Sequence, residues 1–392
     1  MTTGLAPALP PEVCGIICGL VDTQSLIALA TVSRPFRHEA QRAIFHTVDL
    51  VSLGADAARE WRLAIRKNPR LSPGVTSVSF WMPPLSDAQV MTGALKKCKN
   101  IKRLAIWDTR ADSTHTWIAE GPFRLRVFVN AALQLTPSSP FWKQQKHVRV
   151  LSFPLPADKY TKEKFPCRAD QLPDLVAVDV VDLRMLPPAP RALERIQLNA
   201  KLGYITKGLR VTELARFAYT LTHLNMTGVV FKQLREILTI FLRAVPRLVH
   251  LGMSEPIEKW DPYYLPVEGQ RTGAEHLPLD TLKSFEHLHS LVLYTFQTRE
   301  FILPRIGDDP EHPTSSLADP TSVARMLMDD VPQLRTVTIA SSMQNEKEGW
   351  SRMHPPERTV RTCTMRRMPE GGFYTDTDGQ YCFDAVGRFW DA

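Results

Sequence analysis

The sequence predicts an α/β fold built as a solenoid: parallel strands stacked in chain order form a horseshoe with helices along its outer side. Three short helices precede it and a β-hairpin-like cap closes it. Three observations lead there. One six-residue apolar pattern returns ten times after residue 70. Amphipathic helix stripes fill the longer gaps between its copies. Three short apolar stripes crowd the first 45 residues.

The N-terminal module comes first in the chain. Leu9, Pro10, Pro11 and Glu12 open it, and the two prolines suit a first helical turn, where a missing N–H costs little. Val13, Ile16, Ile17 and Leu20 follow at i, i+3, i+4 and i+7, the spacing of one helical face. Leu26, Leu29, Val32 and Phe36 make a second stripe, and Phe36, Ala40, Ala43 and Ile44 a third. Pro35 cannot donate an N–H within a continuous helix, so Ser33 is expected to cap a fresh start. Three small helices have too little interior for so many apolar side chains, which leaves some of them for a partner. The alternative is a helical cap packed onto its own protein.

The order of these pieces is Leu9-Pro10-Pro11-Glu12, a Leu-rich stripe, then Val32-Ser33-Arg34-Pro35-Phe36-Arg37. It resembles the F-box, the module that docks on the Skp-type adaptor of cullin-RING ubiquitin ligases, over roughly residues 5–47. The resemblance implies that Leu9, Pro10, Ile17, Leu20, Leu26, Leu29, Val32 and Phe36 meet the adaptor. Cys14 and Cys18 stand where larger aliphatics are usual in that family. Gly15 and Gly19 weaken the first helix by roughly 1 kcal/mol each relative to Ala.

Composition narrows the function classes. The 392 residues are 44% hydrophobic, enough for one large core or several. The six cysteines are scattered without a Cys-x-x-Cys pair, so buried free thiols in a reducing compartment are expected. No signal peptide and no bilayer-length apolar run is visible, which predicts an intracellular protein, cytoplasmic or nuclear, with no membrane partner. Net charge is +7 from 48 basic and 41 acidic residues, dispersed rather than clustered, which argues against nucleic acid as a partner. Asn225-Met226-Thr227 matches a glycosylation triplet only by coincidence in that setting.

The repeats run from Val75-Val78-Phe80 through Ile101-Leu104-Ile106, Leu125-Phe128-Asn130, Val148-Leu151-Phe153 and Leu175-Val178-Val180. They continue at Leu193-Ile196-Leu198, Leu221-Leu224-Met226, Leu248-Leu251-Met253, Leu288-Leu291-Leu293 and Leu334-Val337-Ile339. This is the strand segment of a leucine-rich repeat, L-x-x-L-x-L, in a degenerate form that mostly lacks the usual asparagine. The copies start 18 to 46 residues apart. Ser86 and Gln89 form a capping box for one intervening helix, Thr212 caps another, and 231–245 carries the longest amphipathic stripe. An α/β domain with a closed sheet is the competing arrangement. The organisation expected is residues 1–50 as F-box, 51–345 as repeats and 346–392 as a C-terminal cap.

Insertions fall at 254–280, rich in Trp, Tyr and Pro, and at 304–321, rich in Pro, Asp and Ser. Near the end, Asp376-Thr377-Asp378-Gly379 between two aromatic runs signals a hairpin turn. Its Asp-x-Asp-Gly lacks the remaining ligands of a calcium loop.

No catalytic or phosphate-binding motif stands out, and His287 with His289 lacks partners for a metal. No cofactor and no catalytic activity is expected. Function should reside on the strand face opposite the leucines. There Arg103, Arg195, His223 and His250 precede the second apolar position, while Trp81, Trp107 and Tyr294 follow the third. Exposed aromatic and Arg side chains are the composition of binding hot spots. Arg195, His223 and His250 should form a ladder about 4.8 Å per step, its histidines mostly neutral. The family resemblance implies a substrate receptor of an SCF-type ligase that joins the adaptor and cullin scaffold to an unknown protein substrate. The alternative is an F-box scaffold outside any ligase.

Overall fold

Three helices lead the chain: α1 (Pro11–Gly19), α2 (Thr23–Val32) and α3 (Arg34–His46). Asp22 caps α2, its carboxylate accepting the Ser25 N–H at 2.7 Å. Ser33 is extended and its Oγ accepts the Phe36 N–H at 3.4 Å, so α3 begins anew with Pro35 in its first turn, as expected. The face of α1 differs from the expected stripe. Cys14 and Cys18 point inward beside Leu26, Phe36 and Ala40, with Ile17 and Leu29 partly buried against them. Val13, Ile16 and Leu20 face solvent instead. Gly15 sits beside α3, where a Cβ would lie 3.3 Å from Glu39 Oε2.

The computed structural model describes residues 9–82, 85–107, 121–133, 135–154, 165, 167–187, 191–199, 211–229, 234–254, 277–295, 320–343 and 359–377. It resolves into two units, one of residues 1–160 and 166–175, the other of 161–165 and 176–392.

In the first unit the three helices are followed by strands β1 (Thr47–Asp49), β2 (Ser77–Trp81), β3 (Arg103–Trp107), β4 (Val127–Asn130) and β5 (Val150–Ser152). Each pairs in parallel with the next in sequence. Helix α4 (Leu50–Lys67) joins β1 to β2 and buries Trp61 and Ile65. Gly54 breaks its first turns with φ 82° and ψ −177°, a conformation that favours glycine. Asp49 caps the helix through the Val51 N–H and also accepts the Ser79 hydroxyl at 2.6 Å, tying β1 to β2. Helix α5 (Leu85–Leu95) buries Ala88, Met91 and Leu95. The Ser86 cap predicted for it falls on side chains outside the described residues.

The second unit continues with β6 (Ala177–Val180), β7 (Arg195–Asn199), β8 (His223–Thr227), β9 (His250–Ser254), β10 (Ser290–Thr295) and β11 (Thr336–Met343), again parallel and in chain order. The helix Leu234–Ala244 turns Leu234, Ile237, Leu238 and Phe241 inward. Two shorter pieces, Val211–Ala215 and Leu279–Lys283, and the longer Pro320–Asp330 occupy other gaps. The Thr212 side chain and residues 231–233 lie outside the described residues.

Every predicted repeat coincides with one of β2 to β11, and all of its apolar positions are buried. The middle position aligns in register as Val78, Leu104, Phe128 and Leu151 in the first unit. In the second it runs Val178, Ile196, Leu224, Leu251, Leu291 and Val337. Successive side chains on a strand alternate faces, so the second and third apolar residues of each copy land in one core.

A turn unrecognised in the sequence sets the entry of several strands. The N–H of the first apolar residue reaches the carbonyl three residues back, as in Leu175 to Leu172, Leu248 to Val245, Leu288 to Phe285 and Leu334 to Val331. Those acceptor residues are themselves fully buried. These four copies thus carry a further apolar position three residues ahead of the motif, whereas Ser72 and Gln145 hold it in two others.

The C-terminal end adds a hairpin. Strands β12 (Thr359–Arg367) and β13 (Phe373–Asp376) add to β11 in antiparallel order. The hairpin turn lies at 368–372, where Gly371 and Gly372 take φ of 94° and 79°. Strand β13 ends at Asp376, which pairs with Thr364. The turn expected at Asp376–Gly379 runs from there into residues outside the described ones, and two consecutive glycines supply the left-handed backbone of the turn at 368–372. Tyr381, Cys382 and Phe383 lie outside the described residues, as do Trp260, Tyr263 and Tyr264.

Candidate functional site

Two surfaces carry the residues singled out in the sequence. On the N-terminal module, Leu9, Leu20 and Val32 are 47%, 82% and 66% exposed, and Pro10 is exposed as well. Ile16 and Ile27, absent from the predicted docking set, are 64% and 59% exposed. Leu26 and Phe36 instead lie in the module's core, and Ile17 and Leu29 pack against it. The accessible apolar side chains of the module therefore include Leu9, Pro10, Leu20 and Val32 from the predicted set. They gain Val13, Ile16 and Ile27, because α1 turns its cysteines inward.

On the strand face of the first unit, Trp81 and Trp107 are register partners, their ring centroids 6.4 Å apart and tilted by 54°. Trp81 is exposed and Trp107 half-buried. Arg103 is exposed at the other end of β3.

In the second unit the predicted ladder exists: Arg195 pairs with His223, and His223 with His250. The two imidazoles stack at 5.7 Å with 22° between planes. The row continues into Ser290 and Thr336. Tyr294 sits half-buried further along β10, paired with Ser254.

His250 departs from the expectation of an outward, available ring, since it is only 5% exposed and both nitrogens are engaged. Its Nε2 lies 2.9 Å from Asn225 Oδ1 and its Nδ1 2.9 Å from Ser290 Oγ. A carbonyl oxygen only accepts, so Nε2 carries the proton, and in the neutral ring Nδ1 accepts the serine hydroxyl. Burial, then the neighbouring His223, pushes the His250 pKa down to about 3. Burial, followed by Arg195, also lowers that of His223, with Glu194 opposing. Both rings are therefore neutral at physiological pH, in line with the ladder's expected state. His250 is a structural member of the row, while Arg195 and His223 remain half-buried at its accessible end.

Gly252 explains how the Asn225 amide reaches His250. It pairs with Asn225 across the strands, and a Cβ there would stand 2.4 Å from Asn225 Oδ1. Asn225 is itself 2% exposed, which removes it as a glycan acceptor. Asp179, Gln197 and Asn225 are successive register partners and all are buried. This polar column was visible as the residue between the second and third apolar positions of each copy. Attention to the flanking positions alone passed over it.

His287 is exposed and His289 half-buried, and no group of three His, Cys, Asp or Glu side chains able to hold a metal occurs among the described residues. No helix among them is long and apolar enough to cross a membrane.

No protein-family model matches the chain, and no curated protein does. Among solved structures it is similar to a chain in "Crystal structure of TLR13-ssRNA13 complex", with a TM-score of 0.36 and 13% identity. That likeness covers 71% of this chain and 35% of the other, so this chain spans about a third of its length. The repeat architecture stands on the strand register itself: a leucine-rich-repeat-like parallel sheet behind three packed helices.

Proposed function

We propose that this chain is a non-catalytic recognition protein, the substrate receptor of an SCF-type ubiquitin ligase. In this reading the N-terminal module docks a Skp-type adaptor on a cullin scaffold, and the repeats bind a protein substrate. The observation that carries it is the surplus of apolar surface on the module, where Leu20, Ile16, Val32 and Ile27 are each more than half exposed. Exposed apolar side chains concentrated on α1, its end and α2 are the kind of surface that marks an interaction site. The order of Leu-Pro, Leu-rich stripe and Val-Ser-Arg-x-Phe-Arg supplies the F-box identity by resemblance. On the repeats, Trp81 with Trp107, and Arg195 with His223 and Tyr294, are the substrate contacts this reading favours.

The test is co-purification of a Skp-type adaptor with the full chain and with Leu20→Asp/Val32→Asp. Both positions are solvent-facing, so the variant keeps the module's core. Adaptor recovered with the former and lost with the latter supports docking, whereas equal recovery sinks it. Adaptor bound without any cullin favours the scaffold reading instead.

A further inference from the structure

We propose that the strand-entry edge of the first unit docks the phosphate backbone of a double-stranded nucleic acid, without regard to base sequence. Lys102, Arg126 and Arg149 each stand one residue ahead of the register row Arg103, Val127 and Val150. Backbone bonds set them side by side. The Arg126 N–H donates to the Lys102 carbonyl at 2.7 Å, and the Arg149 N–H to the Arg126 carbonyl at 2.8 Å. Neighbouring strands lie about 4.8 Å apart, so the three cations make one short row. The turn before each of these strands adds another cation, Lys99, Arg124 and Lys146 in order. All six side chains are exposed.

The repeat itself does not ask for this charge. In the second unit the same position holds Val176, Glu194, Thr222, Val249 and His289 before a cation returns at Arg335. Helix polarity accounts for part of it, since Lys99 and Lys146 follow the ends of α5 and of the short helix Pro140–Gln144. Lys102, Arg126 and Arg149 have no helix end to complement. They lie about one repeat apart in the sequence, so charge dispersed along the chain becomes a row when the strands stack. Residues 88–157 hold 11 Lys and Arg against three Asp and Glu, a net +8 where the whole chain carries +7. Those three, Asp108, Asp112 and Glu120, fall outside the described residues. Asp174 bounds the row in the next entry turn, its carboxylate 3.2 Å from His147 Nδ1.

Evenly spaced cations complement an evenly spaced anion. Guanidinium groups match phosphate oxygens two at a time, and lysine meets phosphate as a point charge. A protein partner draws most of its binding energy from aromatic and other large anchors at the centre of the contact. Among the described residues of 96–149 no large apolar side chain is exposed. A single strand is held by bases stacked on aromatic rings, and no exposed Phe, Tyr or Trp occurs among the same residues. A double helix keeps its bases stacked inside and presents its phosphates, which position a protein without specifying sequence. None of the six cations belongs to the adaptor-docking set.

Fluorescence anisotropy of the full chain tests this with labelled duplex DNA and duplex RNA of arbitrary sequence, a single strand of the same length, and poly-glutamate as competitor. At physiological salt at least one duplex should bind with a Kd of about 1–100 μM, and the two arms separate DNA from RNA as the source. The logarithm of the affinity should fall linearly with that of salt, with a slope of about −4 to −5 for about five phosphates met. In Arg126→Gln/Arg149→Gln the affinity should drop about tenfold or more and the slope flatten by about 2, with the circular dichroism spectrum unchanged. Arg235→Gln/Arg243→Gln removes the same charge at exposed positions of the helix Leu234–Ala244 and should bind as wild type does. Equal weakening in both pairs, or no binding of either duplex, overturns the docking surface. Tighter binding of the single strand, or displacement of the duplex by poly-glutamate at equal charge concentration, overturns the assignment to a double helix.

Discussion

Gly252→Ala is a one-carbon change whose effect can be worked from the structure. The new Cβ would approach Asn225 Oδ1 to 2.4 Å, far inside van der Waals contact. Either β8 and β9 separate, or the Asn225 amide swings away and surrenders its 2.9 Å bond to His250 Nε2. Overpacking of this kind costs about 1–3 kcal/mol, and a buried donor left without an acceptor costs about 1–3 kcal/mol. Relaxation follows one route or the other, and alanine also stabilises by about 0.4–1 kcal/mol through a stiffer unfolded chain. The net expected destabilisation is about 1–3 kcal/mol. Asn225→Ala should destabilise on its own, because it orphans the same imidazole N–H. In that background Gly252→Ala meets no amide and should be neutral or slightly stabilising. Chemical denaturation of the four proteins in this cycle therefore yields a coupling of about 1–3 kcal/mol. Additive effects, or a Gly252→Ala protein as stable as wild type, would refute the close approach as the reason for glycine here.

Three further outcomes follow from the same geometry. The folded pKa of His250, about 3 against the ordinary 6.5, lies below its unfolded value, so its contribution is present above pH 6.5 and drains as pH falls toward 3. Between pH 6.5 and 5 wild type should lose about 1–2 kcal/mol more than His250→Gln, and parallel pH profiles of urea unfolding would contradict this. Asn130→Leu restores the repeat consensus yet should destabilise by about 2–4 kcal/mol, measured as a lowered denaturation midpoint. Its amide accepts the Leu133 N–H at 2.8 Å and donates to the Leu133 carbonyl at 2.9 Å, bonds that leucine cannot make. Burial pushes the Cys98 thiol up to about 12, so native protein at pH 8 should resist alkylation there while urea-unfolded protein reacts, a difference read by peptide mass spectrometry.

Sequence alone determined the repeating half of this protein. Ten copies of one apolar pattern named ten strands, because a period of two on a buried strand leaves a signature that needs no knowledge of neighbours. It also placed Ser33 at a helix start, since a proline two residues on permits little else. The register of Arg195, His223 and His250 followed from counting along equivalent copies. What tertiary packing decided is which way ambiguous faces turn. Val13, Ile16 and Leu20 share a helical face as plausibly as Cys14 and Cys18, and only packing against Leu26, Phe36 and Ala40 shows that the cysteines turn inward. His250 reads as an outward residue by alternation, yet Asn225 and Ser290 from adjoining strands enclose it, made possible by an empty Cβ position at Gly252. The hairpin at 368–372, with Gly371 and Gly372 at positive φ, went unrecognised because no alternating run flags β12 as a strand until it pairs with β11. Local pattern carries periodicity and caps; contacts between elements distant along the chain are set only when they pack.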